Sequence, residues 1–590
     1  MKTVVDAIKV LLPEGTRPLP RAEGDAPAEP TWDLPPYHPA DVFGVAASLL
    51  QKSGAYQYVL PSPGITDSGP ALLMGDADRK RIENAANLWR KAKNASDVPP
   101  LVMKAWQQLM SEGHVALHTQ PTQSNCPAWW RPATTLMLLA DSAAEDLGFS
   151  GLASGAAAWY VDITRLVLTA FLQYEDEVEP VKSLRTFRLP TGLRRALAWP
   201  ASISQIPTSM HCVLPKSRTP NVGCTLRSLS HNLALLPGAG VASAHWVDIV
   251  GPALKKDDEP LNLLLVPFPY TIHAGCFDPM PKSKENWDSY KLDQRWLGAD
   301  RYSKNEFVNF VGDLIEAAER DVPAIDAVVF PELALNWPYF EALSEALREK
   351  RSLEFIVAGV SSNEDREPGN YVATTIYTSY EDDRSMASFP RAKHHRWRLD
   401  ERQIRRYALS AYLDPTKTWW EKIDIPPREL DVLRFRNNST LATLICEDLA
   451  RVDPCQELIR SIGPNLVLVL LMDGPQLKPR WPGRYATVLA DDPGSSVLTL
   501  TSLGLINRQR LNGEPCPLSI ALWKDDDNDA REIHLAEGDL AAVLSLTPRK
   551  RSESFSMDGR QRENIAWHLG GVQPVTIRNK EPYARILRAR

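Results

Sequence analysis

Three residues that could together perform nucleophilic catalysis each follow a strand-like apolar run in this sequence: Glu332, Lys393 and Cys446. A cysteine thiol is mostly protonated at neutral pH and needs a base to become a nucleophilic thiolate. A partly desolvated carboxylate such as Glu332 could take that proton. An ammonium such as Lys393 could stabilise the oxyanion that forms when the thiolate attacks a carbonyl or nitrile carbon. The three residue types in this order therefore indicate a thiol-dependent hydrolase.

Each residue also has a structural explanation when it is taken alone. Cys446 could be buried packing, because free cysteine is among the most buried residue types. Glu332 could cap a helix that begins near Asn336. Lys393 stands in the basic run from Arg391 to Arg398, which is typical of a solvated face. The coincidence of all three at strand ends favours catalysis over these separate explanations.

The hydrophobic pattern changes class along the chain. Apolar residues at three- and four-residue spacing predict helices before residue 180, including one over Ala156–Tyr174. After residue 236, strand-like runs alternate with amphipathic helices, which predicts an α/β fold with helices over central sheets. We predict a flexible leader over residues 1–35, a mainly α-helical accessory domain over 36–180, a Pro-rich linker or wrapping segment over 181–235, an α/β domain over 236–548 and a basic extension over 549–590.

The composition is that of an ordinary globular protein, with 44% hydrophobic and 24% charged residues. The net charge of -6 gives no global reason to expect nucleic-acid binding. The seven cysteines are scattered, and neither they nor the histidines show zinc-ligand spacing, so we expect no metal. We also expect no membrane span and a reducing, cytoplasmic location.

The local sequence around the three residues resembles the carbon–nitrogen hydrolase (nitrilase) superfamily. Phe330-Pro-Glu332 is similar to the strand-end glutamate motif of that family, and Ile445-Cys-Glu-Asp448 is similar to its nucleophile elbow. The apolar run from Asn465 to Leu471 resembles the strand that follows the elbow. The resemblance covers roughly residues 240–548 and does not extend to residues 1–235.

The resemblance implies a fold, a site and an absence of cofactors. The expected fold is an α-β-β-α sandwich that often assembles into a homodimer or a higher homo-oligomer, and the expected cofactor content is none. Members of the family carry a further carboxylate near the thiol, and Glu401 is the best match for a substrate-positioning role. A surface salt bridge from Glu401 to Arg402 or Arg405 is the competing explanation. Glu447, beside the thiol, is the second predicted substrate-positioning residue.

The expected substrate is a small amide or nitrile, and Cys446-Glu-Asp448 favours the amide because it resembles the glutamine-hydrolysing members of the superfamily. The alternative is a nitrilase-fold interaction or sensor module with weak or no turnover. Such modules occur in bacterial defence assemblies beside reverse transcriptases. The region after Pro548 holds ten Lys and Arg against four Asp and Glu, so nucleic-acid binding stays open under that alternative.

Overall fold

The computed structural model describes nearly all of the chain after residue 200 and several segments before it. The helix predicted over Ala156–Tyr174 and the first part of the predicted linker lie outside the described residues. The described residues are 3–18, 28–60, 72–92, 97–122, 125–149 and 201–588, apart from gaps at 222, 241, 248–253, 281–284, 299–300, 381–382, 512, 514–515 and 554–558.

The described residues contain strands and helices in a mixed α/β architecture, as the alternating pattern predicted. The strands are, in chain order, β1 Val59–Leu60, β2 Leu72–Leu73, β3 His211–Pro215, β4 Leu233–Pro237, β5 Ser243–Val247, β6 Leu261–Leu265, β7 Phe277–Pro279, β8 Trp287–Leu292, β9 Ala327–Val329, β10 Phe355–Ser362, β11 Pro368–Tyr380, β12 Asp383–Ala392, β13 Arg398–Leu399, β14 Thr418–Glu421, β15 Glu429–Arg436, β16 Ser439–Ile445, β17 Leu466–Leu471, β18 Ser496–Thr501, β19 Ser519–Lys524, β20 Arg531–His534, β21 Ala541–Glu553 and β22 Arg562–Val575.

The helices fall into an N-terminal group and a group interspersed with the strands. Within the described part, no helix is both long and apolar enough to cross a membrane. The α-helices are Val4–Leu11, Pro39–Ser53, Asp76–Arg90, Pro100–Ser111, Trp130–Ala143, Lys304–Ala318, Trp337–Leu347, Glu401–Arg406, Glu447–Ala450, Glu457–Ile462, Trp481–Asp491, Leu503–Arg510 and Ala584–Leu587.

Two seven-stranded sheets form the centre of the molecule. The first has the order β12-β11-β10-β9-β6-β21-β22, and the second has the order β20-β19-β18-β17-β16-β15-β5. In the first sheet β6, β9 and β10 are parallel, and in the second sheet β16, β17 and β18 are parallel. Parallel neighbours end at the same edge of a sheet, so residues that follow them are brought together there.

Alternate residues of the first sheet belong to two different hydrophobic cores. Leu263 and Leu265 of β6 pack in a core that they share with residues of the second sheet. Leu264 of the same strand packs in another core, together with Phe307 and Phe340 from two flanking helices. This division follows from the two-residue period of a strand, which sends successive side chains to opposite faces. The first sheet therefore has the second sheet on one face and helices on the other.

A small four-stranded sheet lies outside the two large ones. Its order is β13-β14-β8-β7, so it combines two segments that are far apart in the sequence, residues 277–292 and 398–421. Strands β8 and β14 run parallel, and Tyr290 pairs in register with Glu421. This small sheet supplies part of the candidate site.

The N-terminal residues differ from the flexible leader predicted for residues 1–35. Val4–Leu11 is a helix with a Thr3 capping box, and its residues Val4, Ile8 and Leu11 are fully buried. The Pro- and Glu-rich composition that suggested a leader begins only near Arg17, whereas residues 3–11 combine an N-cap with helical apolar spacing. Together with the helices that follow, these residues pack in the same hydrophobic core as the second sheet.

The C-terminal residues also differ from the basic extension predicted over 549–590. Strand β21 continues to Glu553, and β22 pairs with it along its whole length at the edge of the first sheet. Two arginines of this region are engaged in the fold: Arg560 pairs with buried Asp141, and Arg562 donates to backbone carbonyls. The count of basic residues gave no indication of strand β22. Removing residues 549–590 would therefore remove β22 and the end of β21 from the first sheet.

Candidate active site

Cys446 lies at a sharp turn between β16 and the short helix Glu447–Ala450. Its backbone has φ 45° and ψ -109°, a conformation that L-residues rarely adopt. The turn is held by a hydrogen bond of 2.9 Å from Cys446 N–H to the carbonyl of Leu470 on β17. Strained backbone at a strand-to-helix turn is typical of nucleophile elbows. The side chain is buried, with 2% of the residue exposed.

Glu332 lies three residues beyond the end of β9, in a turn packed against β10. Close approach to β10 is possible because Gly359 has no side chain: a Cβ there would lie 2.5 Å from the Cα of Glu332. The carboxylate is buried, and its Oε2 accepts a 2.6 Å hydrogen bond from Met472 N–H. Its Oε1 accepts a 2.8 Å hydrogen bond from Asn370 Nδ2. The alternative of a helix cap is not seen, because Asn336 itself caps the following helix.

Lys393 follows β12 and is also buried, so the basic run around it is not a solvated face at this position. Its backbone N–H donates to the carbonyl of Asn370 on the neighbouring strand. Its Nζ lies 2.7 Å from Glu332 Oε1 and 2.7 Å from Glu421 Oε2. The ammonium is therefore clamped between two buried carboxylates.

Glu421 is a site residue that the sequence reasoning missed. It ends β14 in the small sheet, is 5% exposed, and accepts hydrogen bonds from Asn370 Nδ2 and Trp397 N–H at 2.8 Å each. The local signal, Thr-Trp-Trp-Glu with alternating burial, indicates a strand end but gives no hint of its partner. The antiparallel pairing of β14 with β13, which begins shortly after Lys393, brings Glu421 to Lys393, and Glu421 N–H donates to the carbonyl of Trp397 at 2.9 Å.

Glu401, which we predicted as the substrate-positioning carboxylate, lies on the surface instead. Its side chain is 61% exposed and forms an ion pair with Arg405 at 2.8 Å, four residues along the same short helix. Proximity to Lys393 in sequence suggested the role, but Asp400 caps this helix and turns Glu401 outward. The structure therefore places Glu421, and not Glu401, beside Lys393.

The two acids after the thiol face different surroundings. Glu447 is partly exposed and forms an ion pair with Arg451 at 2.8 Å. Asp448 is buried and accepts hydrogen bonds of 3.1 Å from both His394 N–H and His395 Nδ1. Asp448 thereby ties the elbow helix to the backbone directly after Lys393, and Glu447 remains only a prediction as a substrate contact.

The electrostatics of the site keep the resting thiol protonated. Burial and the charge of Glu332 raise the pKa of Cys446 well above its ordinary value, and Lys393 only partly opposes this. Burial also raises the pKa of Glu332. For Lys393, burial opposes the charge, but Glu332 and Glu421 raise its pKa well above the ordinary value. The charges of Glu332 and Lys393 therefore act on the Cys446 thiol and on each other.

A cluster of possible metal ligands adjoins the site. Within the described residues His394, Asp448 and Cys455 place one ligand atom each within 4.8 Å of one another. Arg391 lies 3.1 Å from His394 Nε2 and 3.5 Å from Asp448, and its fixed charge opposes a metal ion. Burial raises the pKa of Cys455 above its ordinary value, which disfavours the thiolate a metal needs. The cluster is therefore better explained as support for the elbow.

Comparisons with known proteins give distant structural likenesses. No family model and no curated protein matches the sequence. Similar solved structures include a glutamine-dependent NAD+ synthetase from Acinetobacter baumannii, with 13% identity over 49% of this chain and 45% of that chain and a TM-score of 0.29. They also include an amidase of Nesterenkonia AN1 that belongs to the nitrilase superfamily. It has 13% identity over 48% of this chain and 89% of that chain, with a TM-score of 0.28.

A third similar structure is Nit3 of Saccharomyces cerevisiae, a member of the nitrilase superfamily. It has 15% identity over 50% of this chain and 93% of that chain, with a TM-score of 0.29. The chain spans less than half the length of the NAD+ synthetase. Each of these likenesses covers about half of this chain and is distant.

Proposed function

We propose that the protein is a thiol-dependent hydrolase of non-peptide carbon–nitrogen bonds. In this proposal Cys446 is the nucleophile, Glu332 is the general base and acid, and Lys393 stabilises the oxyanion. Glu421 holds Lys393 in its charged state and in position. The observation that carries the proposal is a buried thiol on a strained turn beside a buried Glu–Lys–Glu cluster.

The residues can perform the reaction in two halves. The Cys446 thiol passes its proton to Glu332 as sulfur bonds to the carbonyl carbon and the carbonyl electron pair moves to oxygen. Glu332 then gives the proton to the departing nitrogen, which leaves a thioester on Cys446. Water, deprotonated by Glu332, attacks the thioester and releases the acid and the free thiol. A raised pKa suits Glu332 for both accepting and returning a proton.

The oxyanion has two kinds of donor available. Lys393 Nζ has three N–H groups, and within the described residues two of them donate to the carboxylates of Glu332 and Glu421, so the third can donate to substrate. The helix Glu447–Ala450 begins directly after Cys446, and its first N–H groups have no acceptor within that helix. Removing one donor from such a site typically costs about 2.7–4 kcal/mol of transition-state stabilisation.

Asp473 supports an amide over a nitrile as the substrate. It follows β17, is 6% exposed, and its charge contributes to the raised pKa of Cys446. Its Oδ1 accepts hydrogen bonds from Tyr407 Oη at 2.6 Å and Arg480 Nη2 at 2.7 Å. Its Oδ2 is buried and has no hydrogen-bond partner in the described part of the chain. An amide N–H would satisfy this acceptor, whereas a nitrile has no hydrogen to donate.

The fold that we propose is an α-β-β-α sandwich of the nitrilase type. The support is the pair of facing sheets and the helices Lys304–Ala318 and Trp337–Leu347 packed on the first of them. We assign the sandwich to residues 236–548 together with β22, the N-terminal helices to an accessory domain, and the assembly to a homo-oligomer. A cytoplasmic location agrees with the seven cysteines, all of which lie in the described residues as free thiols.

Covalent labelling tests the proposal directly. The wild-type protein should be labelled at Cys446 by an electrophilic amide probe such as 2-chloroacetamide, and Cys446→Ala should lose that adduct. Glu332→Gln should label much more slowly because it lacks the base. Cys212→Ala is the matched control, since Cys212 is another buried thiol, on β3 and outside the cluster that supports the elbow. Unchanged labelling in Cys446→Ala would refute Cys446 as the nucleophile.

A further inference from the structure

Tyr290 brings a second chain segment to the site. It lies on β8 of the small sheet and pairs in register with Glu421 of β14, so the two side chains occupy neighbouring positions on adjacent strands. Its ring packs against Phe277 and Trp397, with ring centroids 5.8 Å and 6.3 Å away. The residue is 1% exposed. These contacts fix the phenol in one place beside the catalytic cluster.

The hydroxyl of Tyr290 has no hydrogen-bond partner in the part of the chain that the structure describes. Leaving a buried hydroxyl unpaired costs roughly 1–3 kcal/mol, so such a group calls for an explanation. The neighbouring carboxylates are already engaged: both oxygens of Glu332 and both oxygens of Glu421 accept other hydrogen bonds. The hydroxyl proton is therefore available to a ligand.

The surroundings of the hydroxyl identify the ligand position. Burial and the charges of Glu421 and Glu332 raise the pKa of Tyr290 well above its ordinary value, so the phenol stays protonated and remains a donor. Lys393 is close by, because its Nζ lies 2.7 Å from Glu421, the register partner of Tyr290, and the charge of Cys446 also acts on the phenol. An oxyanion that forms next to the thiol and the ammonium would therefore have the Tyr290 hydroxyl as an additional, uncharged hydrogen-bond donor.

We propose that Tyr290 is a catalytic residue whose hydroxyl donates a hydrogen bond to the substrate oxygen as the tetrahedral adduct forms on Cys446. The inference rests on the proposed function and adds a substrate contact from the small sheet. The carbon–sulfur bond forms, the carbonyl electron pair moves to oxygen, and the thiol proton goes to Glu332. Tyr290 keeps its proton throughout and only shares it with the developing oxyanion.

An aldehyde tests this contact without knowledge of the natural substrate. Butanal adds reversibly to a thiol to give a thiohemiacetal, whose oxygen occupies the position of the oxyanion. Its affinity is measured by protection of Cys446 against alkylation by iodoacetamide, followed by peptide mass spectrometry. Tyr290→Phe should weaken butanal binding by about 10- to 100-fold, the range expected for a hydrogen bond to a charged or partly charged oxygen.

The matched control is Tyr377→Phe. Tyr377 is equally buried, but its hydroxyl donates to the carbonyl of Ser344 at 2.8 Å. Tyr377→Phe should lower the unfolding free energy and leave butanal affinity unchanged. Tyr290→Phe should weaken butanal binding without lowering the unfolding free energy, because the described residues offer its hydroxyl no hydrogen-bond partner.

Three outcomes overturn the inference. Equal butanal affinity in wild type and Tyr290→Phe would show that the Tyr290 hydroxyl does not bond the substrate oxygen. It would leave the hydrolase proposal intact. A clear loss of stability in Tyr290→Phe shows that the hydroxyl serves the fold. Absence of any butanal protection at Cys446 in the wild type, at concentrations that saturate small thiols, removes the proposed function itself.

Discussion

Gly359→Ala should disable the site without touching any reacting group. A Cβ at this position would lie 2.4 Å from Leu333 N, 2.5 Å from Glu332 Cα and 2.6 Å from Pro331 O, all of them backbone atoms. Ordinary contact begins near 3.4 Å, so the turn that carries Glu332 must move by about 1 Å. A displacement of about 1 Å can cost about 100-fold in rate, which corresponds to roughly 2.7 kcal/mol of barrier.

The assay is ammonia release from short primary amides, with the unfolding free energy measured in parallel. We expect kcat/KM to fall about 100-fold and the unfolding free energy to fall by about 1–3 kcal/mol from overpacking. Gly312→Ala is the control, because a Cβ there, in the helix Lys304–Ala318, meets nothing within 4 Å. It should keep full activity and be slightly more stable. Full activity in Gly359→Ala would refute the assignment of Glu332 as the base.

The other predictions concern the charges of the site. Glu421→Gln should lower kcat/KM by at least 10-fold because Lys393 loses the charge of a carboxylate that it contacts. Glu401→Gln, which removes a surface ion pair, should leave kcat/KM unchanged. Equal effects of the two substitutions would contradict the assignment of Glu421. The pH–rate profile should lose activity as pH falls through the pKa of Glu332, since the base must be deprotonated, and that midpoint should lie above the ordinary value of 4.5. Asp473→Asn should lower the rate on butyramide more than the rate on butyronitrile. Tyr407 and Arg480 donate to Oδ1 and keep an oxygen there, so the new NH₂ group replaces Oδ2 and can no longer accept an amide N–H. An unchanged ratio of the two rates would show that Asp473 does not recognise the substrate.

The sequence was sufficient for the parts of the site that follow local strand patterns. Glu332, Lys393 and Cys446 each come after an apolar run, and the structure brings the three together at the edges of the two large sheets. Their local motifs predicted the strands, and the parallel strands of each sheet end at a common edge. The elbow at Cys446 could be predicted because strand, thiol and helix are contiguous in the chain.

The sequence was insufficient where the site depends on pairing between distant segments. Glu421 and Tyr290 meet through the register of β14 with β8, more than a hundred residues apart, and no local pattern encodes that register. Glu401 was preferred because it is close to Lys393 in the chain. The basic charge count after Pro548 similarly masked the alternation of β22, whose partner β21 is visible only in three dimensions.

We expect Cys446 to carry the acyl group of an amide during turnover. Acid-quenched mixtures of the protein with primary amides of two to six carbons, analysed by intact mass and peptide mapping, test it most directly. We expect an acyl adduct on the peptide that contains Cys446, with none in Cys446→Ala and an undiminished adduct in Cys212→Ala. An adduct on another residue, or hydrolysis that persists in Cys446→Ala, would contradict it.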